Sequence, residues 1–393
     1  MHSNRWLQAL LSFGFLWFVL AIAFAPANKI YQQGLVALVW LPTLVLAWPA
    51  RTLIGEYWRG QRVMCVLLLL LMAWATISLS WSQADDLSRE FKRTLYIAVF
   101  ILFFPILAAS CPERIIRLLQ WSGAGMALAA LVSLIQFFVI RHNPWFARAE
   151  GLGELSHPIL GAYVIGVVAV WTLLLPPRGR LMQVAWAAGL LFSAAFVVMS
   201  QSRGAVLALV LTMVLLPVWW RDRRALMISA GFIIAALAGF WLMEALMMAR
   251  GSSFRPEIFA AAIKMISLHP WGGLGLGSPY NVFVAEGLKF DHSHNLFTHT
   301  AIELGLPGML LWAGIWLTVL WESWRARDTD LGRCLVGVWV FSTLAMQFDA
   351  ASLTGSPRAE WFISWLPIGL ACVLVWARAP RHAVVKSRVQ FNQ

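Results

Sequence analysis

Long apolar runs separated by short polar stretches recur along almost the whole chain. A transmembrane helix needs about 20 mostly apolar residues to cross the roughly 30 Å hydrocarbon core of a bilayer. Twelve runs approach that length, the second and the last being short, and the pattern predicts an all-α polytopic membrane protein. The predicted spans are residues 6–25, 35–50, 63–81, 94–110, 118–140, 158–175, 181–199, 204–220, 225–243, 305–321, 334–353 and 361–376.

The composition of the 393 residues supports this class: 60% are hydrophobic and only 12% are charged. A soluble protein carries about 25% charged residues. The composition excludes a disordered chain, and it excludes a soluble basic protein that binds nucleic acid, although the net charge is +12. We therefore expect membrane lipids as partners and no nucleic acid.

The distribution of charge between loops predicts an orientation. If the N-terminus is cytoplasmic and the loops alternate, the inner side carries 18 of the 30 Lys and Arg residues and 6 of the 18 Asp and Glu residues. The outer side is then neutral, so the whole net charge lies inside. Because cytoplasmic loops are enriched in Lys and Arg, we predict that both termini are cytoplasmic.

Residues 1–393 are predicted to form a single transmembrane domain, since no internal repeat or soluble domain interrupts them. The connection 244–304 is far longer than the other outer loops and has its own apolar periodicity, which predicts short helices within it. Four of the eight histidines lie between residues 269 and 299. This large loop is therefore the predicted location of the active site.

The histidines of this loop are candidate general bases, because neutral imidazole near pH 7 can take a proton from a hydroxyl group. On a helix beginning near His292, residues Asn295, His299 and Glu303 would share one face, with His294 on a neighbouring face. Such a helix could hold a base, an orienting amide and a carboxylate around one cleft. Which of the three histidines takes the proton stays open.

Neither a metal nor a cofactor is predicted. The loop residues include metal-ligand types, but their spacing matches no zinc pattern. The glycine-rich stretch 272–277 follows no strand and lacks the Gly-Lys-Ser/Thr ending of a nucleotide loop. It is interpreted as a tight turn at the membrane surface whose missing side chains allow close approach.

Three outer arginines are candidate ligands for phosphate. Arg203 lies between two apolar runs with almost no loop, and ionisable residues so placed are functional candidates. Arg255 precedes Pro256 at a predicted helix start, where free backbone N–H groups also favour anions. Arg148 is a third candidate. Guanidinium groups bind phosphate oxygens bidentately, so these residues suit a lipid-linked phosphate or pyrophosphate.

A succession of motifs resembles the O-antigen ligase/polymerase superfamily over roughly residues 145–310. The matching pieces, in order, are Arg148 to Gly151 with Pro158, Ser202-Arg203-Gly204-Ala205, Arg255, His269-Pro270-Trp271-Gly272-Gly273-Leu274-Gly275, and His294-Asn295-Leu296-Phe297 through Gly308. The first four spans resemble the family only in hydropathy.

The resemblance implies a GT-C-like, metal-independent, inverting glycosyltransferase without a cofactor in the bacterial inner membrane, with loop 244–304 periplasmic. In the ligase branch, glycan passes from undecaprenyl pyrophosphate to a sugar hydroxyl of lipid A-core and completes lipopolysaccharide. His294 would take the hydroxyl proton, Arg203 and Arg255 would hold the pyrophosphate, and Arg148 would assist them. His292 and Asn295 would orient the base or acceptor, with His299 and Glu303 supporting.

Three alternatives remain at this stage. An O-antigen polymerase or a protein O-oligosaccharyltransferase would belong to the same superfamily. Protein-glycosylating members often carry an extra C-terminal outer domain, whereas only a short basic tail follows the last predicted span. A lipid or polysaccharide transporter is the alternative of another class, although transporters commonly show related halves and charges at the membrane midplane.

Overall fold

The computed structural model describes residues 5–109, 112–248, 253–284 and 287–378, and almost all of its regular structure is helical. The helices are α1 (Arg5–Phe24), α2 (Asn28–Leu35), α3 (Leu41–Ala47), α4 (Arg51–Gly60), α5 (Arg62–Ser78), α6 (Leu87–Ala109), α7 (Pro112–Leu134), α8 (Pro158–Leu174), α9 (Arg180–Met199), α10 (Arg203–Val214), α11 (Arg223–Met248), α12 (Arg255–Leu268), α13 (Leu296–Arg325), α14 (Asp330–Ala345), α15 (Glu360–Ile363) and α16 (Trp365–Arg378).

Short irregular elements connect or extend several helices. A π-helical turn, Val36–Trp40, joins α2 to α3, and a second, Ile135–Ile140, extends α7. The strands β1 (Val282–Phe283) and β2 (Lys289–Phe290) form an antiparallel hairpin in the large loop, with Val282 paired to Phe290. The loop also contains α12, as the sequence predicted. Its residues 249–252 and 285–286 lie outside the described residues.

The structure confirms an all-α polytopic membrane protein but does not test how many times the chain crosses the membrane. Each of the twelve apolar runs lies wholly or partly on helical structure. Six helical stretches among the described residues are long and apolar enough to cross a membrane, and α4 with α5 gives a seventh if this bent pair is one span. The six are Trp6–Phe24, Asn28–Ala47, Leu87–Ala108, Arg114–Ile140, Arg180–Met199 and Leu296–Arg325. The count of twelve crossings stays a prediction.

Two predicted spans have different ends in the structure. The run 334–353 ends as a helix at Ala345, so its last residues form a loop. The run 305–321 is part of α13, which begins earlier, at Leu296, and passes through a kink at Gly305 with φ 68° and ψ −177°. Apolarity alone did not show these ends, because residues of a buried loop can be as apolar as residues of a helix.

Helix α13 packs in the middle of the bundle against α5, α14 and α16. Its buried Trp312 stacks on Trp316 with ring centroids 5.7 Å apart and meets Trp365 of α16 edge to face at 5.3 Å. A smaller apolar cluster, which includes Ala262 and Ala301, holds α12 against the first turns of α13. The large loop is therefore attached to the bundle through α13.

The glycine-rich stretch wraps around the kink of α13. Leu274 N donates to the carbonyl of Ile302 at 2.8 Å, and Leu306 N donates to the carbonyl of Pro270 at 2.7 Å. Gly273, with φ 61°, lies so close to the backbone around Gly305 that a Cβ would overlap it. The predicted tight turn with close backbone approach is thus observed, against another protein segment.

Candidate active site

Three turns that lie far apart in the sequence meet at one end of the bundle, each just before a helix. At the start of α10, Arg203 Nη2 donates to Ser253 Oγ at 2.7 Å, and Ser253 lies two residues before α12. At the start of α12, Arg255 Nη1 donates to the carbonyl oxygen of His294 at 3.4 Å, and His294 lies two residues before α13. The structure therefore brings Arg203, Arg255 and His294 into one neighbourhood.

The backbone in these turns is strained. Five non-glycine residues of the described segments have positive φ, and four of them immediately precede α10, α12 or α13: Gln201 (51°), Ser253 (56°), Phe254 (58°) and His294 (51°). The left-handed region is unfavourable for residues with a Cβ, and such strain concentrates at functional sites. The strain therefore marks the same three turns as the arginine contacts.

Two imidazoles share one oxygen of a buried carboxylate in this neighbourhood. His294 Nδ1 lies 2.9 Å from Asp349 Oδ1, and His292 Nε2 lies 3.2 Å from the same oxygen. The other nitrogen of His292, Nδ1, lies 2.7 Å from Oδ1 of the exposed Asp291. The two rings are 3.9 Å apart between centroids. These four residues form what we term the His–Asp cluster.

The surroundings shift the pKa values within this cluster in opposite directions. Burial opposes ionisation of Asp349, but hydrogen bonds from His292 and His294 and the positive charge of Arg255 outweigh it and lower its pKa. Burial also disfavours the charged form of His292, yet the contacts with Asp349 and Asp291 outweigh it and raise its pKa above 6.5. The cluster therefore favours two carboxylates around a protonated imidazole.

Asp349 was missed in the sequence analysis because it lies inside the predicted span 334–353. In the structure α14 ends at Ala345, and Asp349 belongs to the loop that follows. The neighbouring Phe348 packs beside Gly204 of α10, so this loop contacts the Arg203 turn directly. The available signal was an ionisable residue in an apolar run, which is a functional candidate by default.

The predicted helix beginning near His292 is wrong, since α13 begins at Leu296. Asn295 is its N-cap: Oδ1 accepts from the backbone N–H groups of Phe297 at 2.9 Å and Thr298 at 3.2 Å. Its amide Nδ2 donates to Gln347 Oε1 at 2.8 Å. The side-chain amide of Asn295 therefore connects the start of α13 to the loop that carries Asp349, and both of its polar atoms have partners within the protein.

His299 and Glu303 share a face of α13 as predicted, with Nε2 and Oε2 3.2 Å apart, but both are buried within the fold. His299 Nδ1 lies 2.6 Å from Tyr280 Oη, and Glu303 Oε1 accepts from Gly277 N at 3.1 Å. This pair therefore fixes the segment 277–280 to α13. The supporting role expected for this pair beside His294 stays a prediction.

Arg148 lies beside the turn that leads to Arg203. Its Nε donates to the carbonyl oxygen of Ser200 at 3.1 Å, and Ala149 N donates to the carbonyl of Met199 at 2.9 Å. Arg148 thus supports the turn between α9 and α10. Its role in phosphate binding stays a prediction.

The His–Asp cluster also contains residue types that could hold a metal ion. The ligand atoms of His292, His294 and Asp349 all lie within 4.8 Å of one another. However, both imidazoles already contact the same carboxylate oxygen, as expected when their N–H groups donate to it. The geometry is therefore explained by hydrogen bonds alone, and the absence of a metal requirement stays a prediction.

Comparison with known proteins identifies the family of this chain. A family model described as O-Antigen ligase matches residues 188–313. The chain is also similar to an O-antigen ligase of Pseudomonas aeruginosa, with 30% identity over 311 residues, which cover 76% of this chain and 74% of the relative. The chain belongs to the O-antigen ligase family. The resemblance found from the motifs is therefore confirmed, and membership in the O-antigen ligase family implies an enzyme of the glycosyltransferase type.

The match to the O-antigen ligase family model includes most of the candidate site. Residues 188–313 contain Arg203, Arg255, both histidines of the cluster, and Glu303, whereas Arg148 precedes the match and Asp349 follows it. The buried carboxylate of the cluster, Asp349, thus comes from outside the matched segment, whereas Asp291 lies within it. Only the fold shows that it completes the site.

Proposed function

We propose that this protein is an O-antigen ligase that transfers glycan from undecaprenyl pyrophosphate to a sugar hydroxyl of lipid A-core at the periplasmic face of the bacterial inner membrane. The observation that carries the proposal is the meeting of His294, Asp349, Arg203 and Arg255 at one end of the bundle. This transfer needs a base that takes the proton of the acceptor hydroxyl and cations that bind the leaving pyrophosphate.

The hydrogen bonds favour His294 as the base. Ionised Asp291 and Asp349 only accept hydrogen bonds, so His292, which lies between them, has to donate from both nitrogens and is protonated. His294 needs a proton only on Nδ1, which faces Asp349. Its Nε2 then carries a lone pair that can take the acceptor proton, while Asp349 stabilises the imidazolium that forms.

Arg203 and Arg255 would bind the pyrophosphate of the donor. Both are the first residues of helices, α10 and α12, whose N-terminal N–H groups add positive potential. Charge grows on the pyrophosphate as the glycosidic bond breaks, and fixed donors that meet such charge are worth about 3 kcal/mol each. The donor arrives already activated, so the reaction needs no soluble nucleotide.

The contacts support the predicted alternating topology with twelve spans. The loops assigned to the outer side, around residues 82, 148, 203 and 292, approach one another at one end of the bundle. Asp349, in the outer part of the predicted span 334–353, lies at the same end. Arg62 at the start of α5 and Arg325 at the end of α13 lie together at the other end, which was assigned to the cytoplasm. We infer that the active site is periplasmic and that both termini are cytoplasmic; residues 379–393 lie outside the described residues.

An O-antigen polymerase or a protein O-oligosaccharyltransferase would use the same kind of site with another acceptor. The curated relative is named an O-antigen ligase, which favours a lipid acceptor. A transporter is disfavoured because the ionisable cluster lies at one end of the bundle, whereas transporters place such groups near the midplane.

The decisive experiment is a transfer assay with the purified full-length protein in liposomes. Undecaprenyl-pyrophosphate glycan and lipid A-core are supplied, and the joined product is detected on a gel. We expect product with lipid A-core and none when a second glycan donor or a pilin replaces it. Product only with the second donor would identify a polymerase, and product only with pilin would identify a protein glycosyltransferase.

A further inference from the structure

A large groove lies at the end of the bundle opposite to the candidate active site. Its volume is about 970 Å³, and it lies between the start of α5, the end of α10 and the C-terminal half of α13, with α14 behind them. The opposite ends of these helices point towards the candidate active site: at the end of α5, Ser78 accepts a hydrogen bond from Leu276 N of the glycine-rich stretch. The groove therefore does not belong to the site described above.

The walls of the groove are apolar and rich in tryptophan, with Trp219, Trp321 and Trp339 among them. Leu317 and Trp321 are each 60% exposed and border it. Because these exposed side chains belong to a helix that is apolar enough to cross the membrane, the groove opens towards the hydrocarbon of the bilayer. Acyl chains are the molecules that occupy such a space.

The polar end of the groove carries positive charge. Arg59, Arg62 and Arg325 line it together with a single glutamate, Glu322, which gives the lining a net charge of +2. All three arginines are exposed, and the Arg325 guanidinium lies 5.9 Å from the centre of the Trp321 ring. Arginines beside an apolar groove match a molecule with a phosphate at one end and acyl chains at the other.

The break between α4 and α5 places these arginines at the level of lipid headgroups. The chain bends by 103° there, so α4 runs nearly perpendicular to the spanning direction of α5. Trp48, just before α4, is 75% exposed, and its ring lies 4.9 Å from the Arg51 guanidinium. Exposed tryptophan and arginine on a helix that turns away from a span are typical of the membrane interface.

We propose that this groove binds an anionic glycerophospholipid, with the headgroup phosphate on Arg59, Arg62 and Arg325 and an acyl chain along Leu317 and Trp321. Basic pockets between transmembrane helices on the cytoplasmic side bind anionic lipid headgroups. The site is independent of the glycosyl transfer and takes a structural lipid of the bilayer.

The test is native mass spectrometry of the full-length protein with equal amounts of phosphatidylglycerol, phosphatidylethanolamine and undecaprenyl phosphate. We expect phosphatidylglycerol to be retained at least tenfold over phosphatidylethanolamine. Arg62→Gln with Arg325→Gln should weaken its binding about thirtyfold. The matched control, Arg223→Gln with Arg224→Gln, removes two exposed arginines outside the groove and should change binding less than threefold.

A second variant tests the apolar part of the groove. Thr318→Trp fills the space along α13 without changing charge, and it should reduce phosphatidylglycerol binding at least tenfold. Thermal unfolding checks that each variant is folded. Equal losses in groove and control variants, unchanged binding in Thr318→Trp, displacement by inorganic phosphate, or preference for undecaprenyl phosphate would each overturn the proposal.

Discussion

Asp349→Asn tests the His–Asp cluster most directly, because it removes the charge while keeping the shape. In the proposed mechanism His294 becomes an imidazolium during transfer, and its centre would lie roughly 4.5 Å from the carboxylate, since Nδ1 and Oδ1 are 2.9 Å apart. At an effective dielectric constant of about 20, that attraction is about 4 kcal/mol. Because the His294 side chain is 19% exposed, solvent screens part of this attraction, and we expect a loss of about 3 kcal/mol.

A loss of about 3 kcal/mol corresponds to roughly a 100-fold slower chemical step. The assay is single-turnover transfer in liposomes with saturating donor, which separates the chemical step from donor binding. We expect the apparent affinity for donor to change little, because Arg203 and Arg255 are untouched. Asp330→Asn is the matched control, since this exposed carboxylate pairs with Arg333 at the start of α14. A folded Asp349→Asn protein with the wild-type rate would refute the role of the cluster.

The remaining predictions concern the base, the cations, the kink and acid stability. His294→Ala should slow transfer about 10²-fold to 10⁴-fold, as for loss of a general base, and full activity in the liposome assay would exclude it as the base. Arg203→Ala and Arg255→Ala should each impair transfer far more than Arg223→Lys, and equal rates would argue against pyrophosphate binding. Gly305→Ala should lower the unfolding temperature, because φ is 68° and a Cβ would overlap the Trp271 carbonyl; Gly239→Ala, with open space around it, should not. Because the pKa of Asp349 is lowered on folding, this residue stabilises the folded protein above its unfolded pKa of about 3.9. That stabilisation is lost as the pH falls through the lower pKa of the folded protein. Acid unfolding scans should therefore show a smaller loss of stability below pH 4 in Asp349→Asn than in wild type.

Much of the fold could be predicted because apolar run length directly reflects the thickness of the bilayer. Every predicted run lies wholly or partly on helical structure, and α12 lies in the loop that was predicted to contain short helices. The ends of helices were harder to predict. The kink at Gly305 depends on hydrogen bonds from Leu274 and Leu306 to residues distant in sequence, which no local pattern records.

The residues of the candidate site also fall into two groups, those that local sequence indicated and those that only the fold brings in. Arg203, Arg255 and His294 were recognised because charge or imidazole is unusual in their local sequence, and the structure brings them together. Asp349 was not recognised, since its importance comes from a contact across 55 residues of chain. His299 was grouped with His294 on an assumed helix, but the N-cap at Asn295 separates the two histidines into different environments.

The three helix starts at the site are not equivalent, and the difference favours α12 as the place where the phosphate of the proposed donor would bind. Ser202 caps α10 and Asn295 caps α13 through their side chains, whereas Phe254 provides no side-chain cap for α12. The first turn of α12 therefore has no side-chain cap from its N-cap residue, and Arg255 adds a positive charge there. Since Arg255 also contacts the carbonyl of His294, a phosphate at α12 would lie beside the turn that carries the base. We infer that donor binding at α12 positions the anomeric carbon within reach of a hydroxyl held at His294 Nε2.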